Sequence, residues 1–216
     1  MQAAERELES NLVYLSDNDL APAASLLLKA YLDDPTFQVI FKADKEGYEQ
    51  RLRAAIREEL NAFYQHQQPM IGLFAGDTLE GVVCITRQGQ AFTPERFWHW
   101  RLRMLLTAGF VSTRQMLEKE RLIDDAMPVS NYHMLTFIAV HERYRQQGLG
   151  DLLIHAARDV LSQDRESTGI AVLATRPEYA RFFAQRGFHF LRDVTVGEIT
   201  GQLMFLARDD EALHDD

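Results

Sequence analysis

The 216-residue sequence contains a single cysteine, Cys84, and this scarcity excludes several kinds of site. One thiol cannot form an internal disulfide or a cysteine-based metal cluster. Cys84 lies in the apolar run of residues 82–85, so we interpret it as a buried, inert thiol rather than a nucleophile. The histidines and acids show no ligand spacing, and no metal site is predicted.

Basic residues are also in short supply, with 23 lysines and arginines against 32 acids and a net charge of −9. Nucleic-acid-binding proteins usually present a basic face, so we expect no nucleic-acid partner. No window approaches the roughly 18 apolar residues that a membrane span requires. Residues 1–8 show no apolar signal region. We therefore expect a cytoplasmic protein without a membrane span.

The sequence does contain a series of strand-like and helix-like segments. Apolar runs predict strands over 11–15, 70–75, 79–86, 134–140, 169–174, 188–191, 194–196 and 202–206. Helical spacing or end signals predict helices over 20–32, 44–66, 112–123, 151–160 and 177–186. Hairpin-linked strands in the middle and strand–helix alternation later indicate one mixed sheet covered by helices. We expect a single domain over residues 1–216.

The most informative segment is residues 134–160, where an apolar strand leads through a loop with two glycines into an amphipathic helix. Such a junction gathers unpaired backbone N–H groups at the positive end of a helix dipole, which favours phosphate binding. A dinucleotide loop is excluded because Leu153 stands where G-x-G-x-x-G needs its last glycine or alanine. A Walker loop is excluded because no Gly-Lys-Ser/Thr ending is present.

A third kind of phosphate loop fits the segment. Residues 145–150, Arg-Gln-Gln-Gly-Leu-Gly, resemble the R/Q-x-x-G-x-G/A loop of the GNAT-type N-acetyltransferase superfamily. Downstream, residues 183–188, Phe-Ala-Gln-Arg-Gly-Phe, resemble the family's aromatic-x-x-x-Gly-Phe pattern. The chain departs from the family at residues 140–142, Val-His-Glu, which lack the usual proline.

The resemblance implies an α/β (α+β) fold with a GNAT-like, mixed and mostly antiparallel central sheet of about seven strands flanked by helices. A helical insert, about 88–131, would separate strands three and four. Its part from 92 to 110 is aromatic and basic, with Phe92, Arg96, Phe97, Trp98, Trp100, Arg101 and Arg103. This helix could cover the sheet, form a wall of the acceptor pocket, or contact a membrane surface or an anion.

The resemblance also implies acetyl-CoA as co-substrate, with coenzyme A as product, and no metal. Backbone N–H groups of the glycine loop would hold the pyrophosphate, helped by the forked Arg145 side chain. The last residues of the fourth strand would contact the pantetheine arm. The implied coenzyme-binding residues are Ile138, Ala139, Val140, Arg145, Gln146, Gln147, Gly148, Leu149, Gly150, Asp151 and Phe183.

The implied reaction is direct acetyl transfer to a primary amine of a small molecule or a protein. Relatives often protonate the departing thiolate with a tyrosine, but Phe183 occupies that position here. Tyr179, one helical turn earlier, is either a substitute acid or a packing residue. The base candidates that remain open are Glu80, His133, Thr136 and His141.

Two other functions stay open at this stage. One is a non-catalytic or regulatory acyl-CoA-binding module, and the other is a transferase with a longer acyl donor. A homodimer is one assembly that the sequence leaves open.

Overall fold

The computed structural model describes residues 10–87 and 109–208. The aromatic and basic part of the insert up to residue 108 and the acidic tail from residue 209 lie outside the described residues. The strands are β1 (Ser10–Tyr14), β2 (Met70–Ala75), β3 (Thr78–Arg87), β4 (His133–Val140), β5 (Gly169–Ala174), β6 (His189–Val196) and β7 (Ile199–Ala207). The α-helices are α1 (Leu20–Tyr31), α2 (Pro35–Ile40), α3 (Tyr48–Gln65), α4 (Phe110–Ala126), α5 (Leu149–Gln163) and α6 (Pro177–Ala184).

The seven strands form one sheet in the order β1-β2-β3-β4-β5-β7-β6. Every neighbouring pair is antiparallel except β4 and β5, which run parallel. The predicted fold class, a mostly antiparallel sheet of about seven strands flanked by helices, is confirmed. Within the described ranges, no helix is long and apolar enough to cross a membrane.

Apolar side chains cover both faces of the sheet. On one face, helices α1, α3 and α4 pack over a core that includes Leu27, Leu60 and Phe137. On the other face, helices α5 and α6 pack over a second core that includes Leu153 and Phe188. The sheet is therefore the middle layer of three, and its central strands are buried on both sides.

Helix α2 was not predicted, because Pro35 follows the helix predicted over 20–32 and proline usually marks the end of a helix. Proline at the first helical position also begins a helix, since its missing N–H is not needed there. Asp34 completes this start as the N-cap, with its Oδ1 accepting a hydrogen bond from the Phe37 N–H at 3.0 Å. Helix α3 begins at Tyr48 rather than 44, after Gly47 in the left-handed region at φ +81°.

A β-bulge interrupts β4 at Thr136. Phe137 pairs with Cys84 and Leu135 with Ile85, so Thr136 is the extra residue. Leu135 consequently belongs to the core under α5, whereas Phe137 belongs to the core under α1. Regular alternation along a strand would point these two side chains to the same face, whereas the bulge points them to opposite faces.

Strands β4 and β5 separate soon after they begin. Their parallel register contains only the pairs His133–Ile170 and Met134–Ala171. A bulge bends a strand and increases its twist, which is consistent with the separation beginning at Thr136. A gap therefore opens in the middle of the sheet toward the carboxyl ends of both strands.

Candidate active site

A cavity of about 880 Å³ reaches from this gap to the space between helices α3 and α4. The sheet contributes Thr86, Thr136, Ile138, Ala139, Val140, Val172 and Leu173. The helices contribute Tyr31, Phe37, Glu59, Phe63, His66, Lys119, Glu120, Asp124 and Tyr179, among others. Its size is within the usual range for small-molecule sites, and its wall mixes apolar residues with several titratable groups.

The edge of β4 that faces the gap presents backbone hydrogen-bonding groups. The Ile138 N–H donates to the Tyr31 hydroxyl at 3.1 Å, and the same hydroxyl lies 3.2 Å from the Ile138 carbonyl oxygen. Two positions on, the Val140 carbonyl accepts from the Arg145 Nε at 3.3 Å. Alternate residues of a strand point their backbone groups to the same side. The backbone N–H and carbonyl groups of Ile138 and Val140 therefore both face the gap.

The corner between α1 and α2 bridges the two sides of the gap. Tyr31 contacts β4, and its ring packs against Phe37 and Phe137 with both centroid distances at 5.5 Å. Three residues later, the buried Asp34 carboxylate accepts a hydrogen bond from the Thr175 hydroxyl at 2.5 Å, just beyond β5. The corner is thus fixed to both diverging strands.

The predicted glycine loop lies between the end of β4 and helix α5. Gln146 at φ +61° and Gly148 at φ +83° both adopt the left-handed conformation, which turns the chain into the helix. The Asp151 N–H bonds back to the Gly148 carbonyl at 2.8 Å. The remaining N–H groups of a first helical turn have no acceptor within the helix and are available to an anion.

The first turn of α5 is packed against α6. A Cβ on Gly150 would lie 2.9 Å from the Phe182 ring, so this glycine is required by helix packing. Arg186 lies over the same ring at 3.7 Å and pairs with the Asp151 carboxylate at 2.5 Å. The sequence had explained Gly150 only by approach to a phosphate, and the structure adds this second reason.

Of the candidates Tyr179, Thr136 and His133, only two lie in the cavity wall. Thr136 and Tyr179 line the cavity, and Thr136 shares a 2.7 Å hydrogen bond with Thr86. His133 is 1% exposed and points to the opposite side of the sheet, where its Nε2 lies 3.6 Å from Asp164. Burial lowers the pKa of His133, with Asp164 opposing that shift.

Other predicted residues lie outside the cavity lining. Phe183 is 4% exposed and packs against Phe182 and Phe188 in the core under α5. The Leu149 side chain is buried in the same core, so only its backbone is available to a ligand. Of the base candidates, Glu80 is buried in β3 and His141 follows β4, and neither lines the cavity.

Glu59, a buried acid in the cavity wall, was not predicted from the sequence. A signal was present, because Glu59 falls in the apolar series Leu52, Ile56, Phe63 on helix α3. An acid on the buried face of an amphipathic helix departs from the usual pattern. His66, which was not among the predicted site residues, also lines the cavity.

Comparisons with known proteins agree with this geometry. Residues 109–200 match the family described as Acetyltransferase (GNAT) domain. A histone acetyltransferase HPA2 and related acetyltransferase from Corynebacterium glutamicum is 16% identical with a TM-score of 0.69, over 92% of this chain and 96% of that one. A sequence search of curated proteins gives no match.

Two similar structures contain coenzyme A. AAC(6')-Ib in complex with ribostamycin and coenzyme A is 14% identical with a TM-score of 0.60, over 96% of this chain and 98% of that one. The paia N-acetyltransferase from Thermoplasma acidophilum in complex with coenzyme A is 15% identical with a TM-score of 0.57, over 92% and 98%. The chain therefore has the fold of these acetyltransferases, and residues 109–200, which include the glycine loop, match the model of the GNAT domain.

Proposed function

We propose that this protein transfers an acetyl group from acetyl-CoA directly to a primary amine of a small molecule or a protein. The observation that carries the proposal is the gap between β4 and β5, with the backbone groups of Ile138 and Val140 facing a cavity beside the glycine loop. The coenzyme A complexes of two proteins with the same fold support the choice of donor.

On the donor side, N–H groups between Arg145 and Asp151 bind the pyrophosphate at the start of α5. The Arg145 side chain, which already reaches back to Val140, supplies a charged donor at the same place. Ile138, Ala139 and Val140 pair with the pantetheine arm along the open edge of β4. The Ile138 N–H then donates to the thioester oxygen as that oxygen gains negative charge.

On the leaving-group side, Tyr179 is the candidate acid because its side chain is 39% exposed and lines the cavity. Phe183 has no proton to give and lies in the core. The thiol of coenzyme A has a pKa of about 8.5, by analogy with cysteine. Its thiolate is therefore able to leave the thioester without a protein acid. Tyr179 is therefore expected to increase the rate modestly rather than to be essential.

The same proposal takes residues 1–216 as a single domain, working in the cytoplasm without a metal. Within the described ranges, no group of three or more His, Cys, Asp or Glu side chains is arranged to hold a metal ion. The direct transfer assigned here needs none, because polarisation of the thioester is supplied by a backbone N–H.

Isothermal titration with coenzyme A and acetyl-CoA tests the donor, and thiol release with a panel of amines tests the reaction. Micromolar binding of both, with amine-dependent thiol release, is the expected result. Absence of binding to either compound would refute the proposal.

The second candidate is a non-catalytic or regulatory acyl-CoA-binding module, favoured by Phe183 at the family's tyrosine position and by Tyr31 bonded to Ile138. Binding without thiol release for any amine would support it. A third candidate is the transfer of a longer acyl group. Comparing acetyl-CoA with butyryl-CoA and octanoyl-CoA as donors in the same assay distinguishes it from acetyl transfer.

A further inference from the structure

The corner between α1 and α2, residues 31–37, forms part of the cavity wall beside the gap between β4 and β5. Tyr31, Asp34 and Phe37 of this corner line the cavity, together with Ile138 of β4 and Thr175, which follows β5. An acceptor that attacks a thioester held at Ile138 therefore has the corner as a neighbour. The rate of such an attack depends steeply on how closely the two reactants are held.

Asp34 connects the corner to the end of β5. This residue is 6% exposed, and both oxygens of its carboxylate accept hydrogen bonds. The Oδ1 atom accepts from the Phe37 N–H at 3.0 Å and thereby caps α2. The Oδ2 atom accepts from the Thr175 hydroxyl at 2.5 Å. One buried side chain thus joins the start of α2 to the β5 side of the gap.

Arg176 forms a second contact on the same side of the gap. Its guanidinium donates a hydrogen bond to the Asp33 carbonyl oxygen and also lies 3.7 Å from the Glu178 carboxylate. This contact is exposed to solvent, where charged pairs stabilise little. The bond from the Thr175 hydroxyl ends on a buried carboxylate, and hydrogen bonds to charged groups are the stronger kind. We therefore expect the Thr175–Asp34 bond to be the main restraint on this side.

On the β4 side, the corner is held by the Tyr31 hydroxyl, which is bonded to both backbone groups of Ile138. The proposed function assigns these same backbone groups to the coenzyme. Binding of the coenzyme therefore costs the corner its bond to β4, while the contacts of Asp33 and Asp34 with the β5 side remain. The complex with the donor is the state that the acceptor amine enters, so the β5 side decides where the corner lies at that moment.

The negative charge of Asp34 acts on the hydroxyl groups of the corner as well. Burial is the largest cause that raises the pKa of Tyr31 and of Tyr48, and the Asp34 charge adds to both shifts. Both hydroxyls consequently keep their protons and donate to backbone carbonyls, Tyr31 to Ile138 and Tyr48 to Leu32 at 2.7 Å. The charge of Asp34 and its hydrogen bond are therefore two separate contributions, and different variants isolate them.

We propose that Asp34 is a positioning residue for the acetyl transfer: its bond to Thr175 holds the corner where the acceptor amine is brought to the thioester. This inference rests on the proposed function. It gives Asp34 no contact with the reacting atoms, since its two carboxylate oxygens are engaged by Phe37 and Thr175. Loss of the bond should therefore impair the use of the amine and spare the binding of the coenzyme.

The bond is tested with Thr175→Val, which removes the hydroxyl and keeps a side chain of similar shape. With the most active amine of the panel, kcat/KM for the amine should fall about ten- to hundred-fold, because small errors of position are costly to such a reaction. Thr175→Ser keeps the hydroxyl and should remain within about three-fold of wild type. Equal kcat/KM values for the Val and Ser variants would overturn the role.

Thr168→Val is the matched control at the other end of β5, where the Thr168 hydroxyl donates to the Asn131 carbonyl at 2.7 Å. It removes the same group from a residue outside the cavity lining, so kcat/KM for the amine should change less than about two-fold. A loss as large as that in Thr175→Val would show that any weakened end of β5 lowers the rate, and would contradict the proposal.

Asp34→Asn separates the hydrogen bond from the charge. The amide oxygen is able to accept from the Phe37 N–H and the amide nitrogen to donate to the Thr175 hydroxyl, so both bonds are kept. We expect kcat/KM to stay within about five-fold of wild type, whereas Asp34→Ala should lose at least as much as Thr175→Val. A loss in Asp34→Asn as large as that in Thr175→Val would overturn the positioning role, because it would assign the effect to the charge.

Hydrogen exchange follows the corner without any turnover. In the free protein, Tyr31 and Asp34 both hold the corner, so Thr175→Val should change the exchange of residues 31–41 little. With coenzyme A bound, the Tyr31 contact is given up, and this segment should exchange at least about ten-fold faster in Thr175→Val than in wild type. Equal exchange in the two complexes would overturn the proposal for every acceptor.

Titration of coenzyme A distinguishes this inference from the proposed function. Wild type and Thr175→Val should bind it with Kd values within about two-fold, because the glycine loop and the edge of β4 are unchanged. Failure of wild type to bind would refute the proposed donor. Normal binding by wild type, with coenzyme affinity and amine use lost in parallel in Thr175→Val, would overturn the positioning role, because the effect would then be general.

Discussion

The Tyr31 hydroxyl is bonded to both backbone groups of Ile138, accepting from the N–H and donating to the carbonyl oxygen. Burial, the largest cause, raises the pKa of Tyr31, so the hydroxyl keeps its proton and remains a donor. It occupies the strand edge that we assign to the coenzyme. A ligand that pairs with Ile138 must displace this hydroxyl or share its partners.

Tyr31→Phe should therefore bind coenzyme A about three- to ten-fold more tightly, because one hydrogen-bonding competitor worth about 1 kcal/mol is removed. The melting temperature should fall by about 2–4 °C, since Ile138 loses its partner. Tyr48→Phe is a matched control, because its hydroxyl donates to the Leu32 carbonyl at 2.7 Å. Weaker coenzyme binding in Tyr31→Phe would instead make the hydroxyl part of the binding site.

Arg186 balances a negative charge at the start of α5, where it pairs with Asp151. Arg186→Gln should weaken coenzyme A binding about five-fold, because the Asp151 carboxylate then repels the pyrophosphate assigned to the adjacent loop. Arg186→Gln combined with Asp151→Asn should recover most of the affinity, and both effects should shrink at 0.5 M salt. Equal affinities in the single and double variants, by titration calorimetry, would contradict the explanation.

His133 should affect stability rather than catalysis. Its pKa is lowered by burial, so the native protein favours the neutral ring and loses stability as the pH falls below about 6.5. His133→Gln should flatten this loss in thermal melts from pH 8 to pH 5, with kcat/KM at pH 8 changed less than about two-fold. The exposed His155→Gln on α5 serves as control. A large rate loss with unchanged melting would restore His133 as a base.

Glu59 should destabilise the native protein at high pH. Its pKa is raised from 4.5 to about 8, so the stability that its neutral form contributes is lost as the pH rises between these values. Glu59→Gln should match wild type near pH 4 and melt on the order of 5 °C higher at pH 9. Glu49→Gln, on the exposed first turn of α3, should follow wild type throughout. A constant difference between the Glu59→Gln and wild-type melting temperatures would show that no titration is involved.

The sequence predicted the local elements better than the contacts between them. Met70–Ala75 and Gly169–Ala174 were predicted with their observed bounds, because each is a continuous apolar run beside a turn residue. Arg145 and Gly148 are candidate binding residues because of a local motif. The Tyr31–Ile138 contact joins residues that are 107 positions apart in the sequence. It depends on how α1 crosses the sheet, and a local sequence pattern does not predict that crossing.

Thr136 and Glu59 illustrate the same limit. Thr136 is an extra residue only relative to β3, so it becomes visible only when the two strands are paired. Glu59 was visible in its own helix as an acid among apolar positions, but its meaning depended on the cavity in front of it. His133 lies near Asp164 and outside the cavity lining, which the alternation of its strand did not indicate.

The gap between β4 and β5 begins at the single extra residue of β4, Thr136. Without it β4 would be a regular strand, and its edge would be free to continue the parallel ladder with β5 beyond Met134. The backbone N–H and carbonyl groups of Ile138 and Val140 would then form hydrogen bonds with β5. The edge that we assign to the pantetheine arm is therefore an unpaired part of the sheet, and a fully paired β4 would leave that arm without backbone partners.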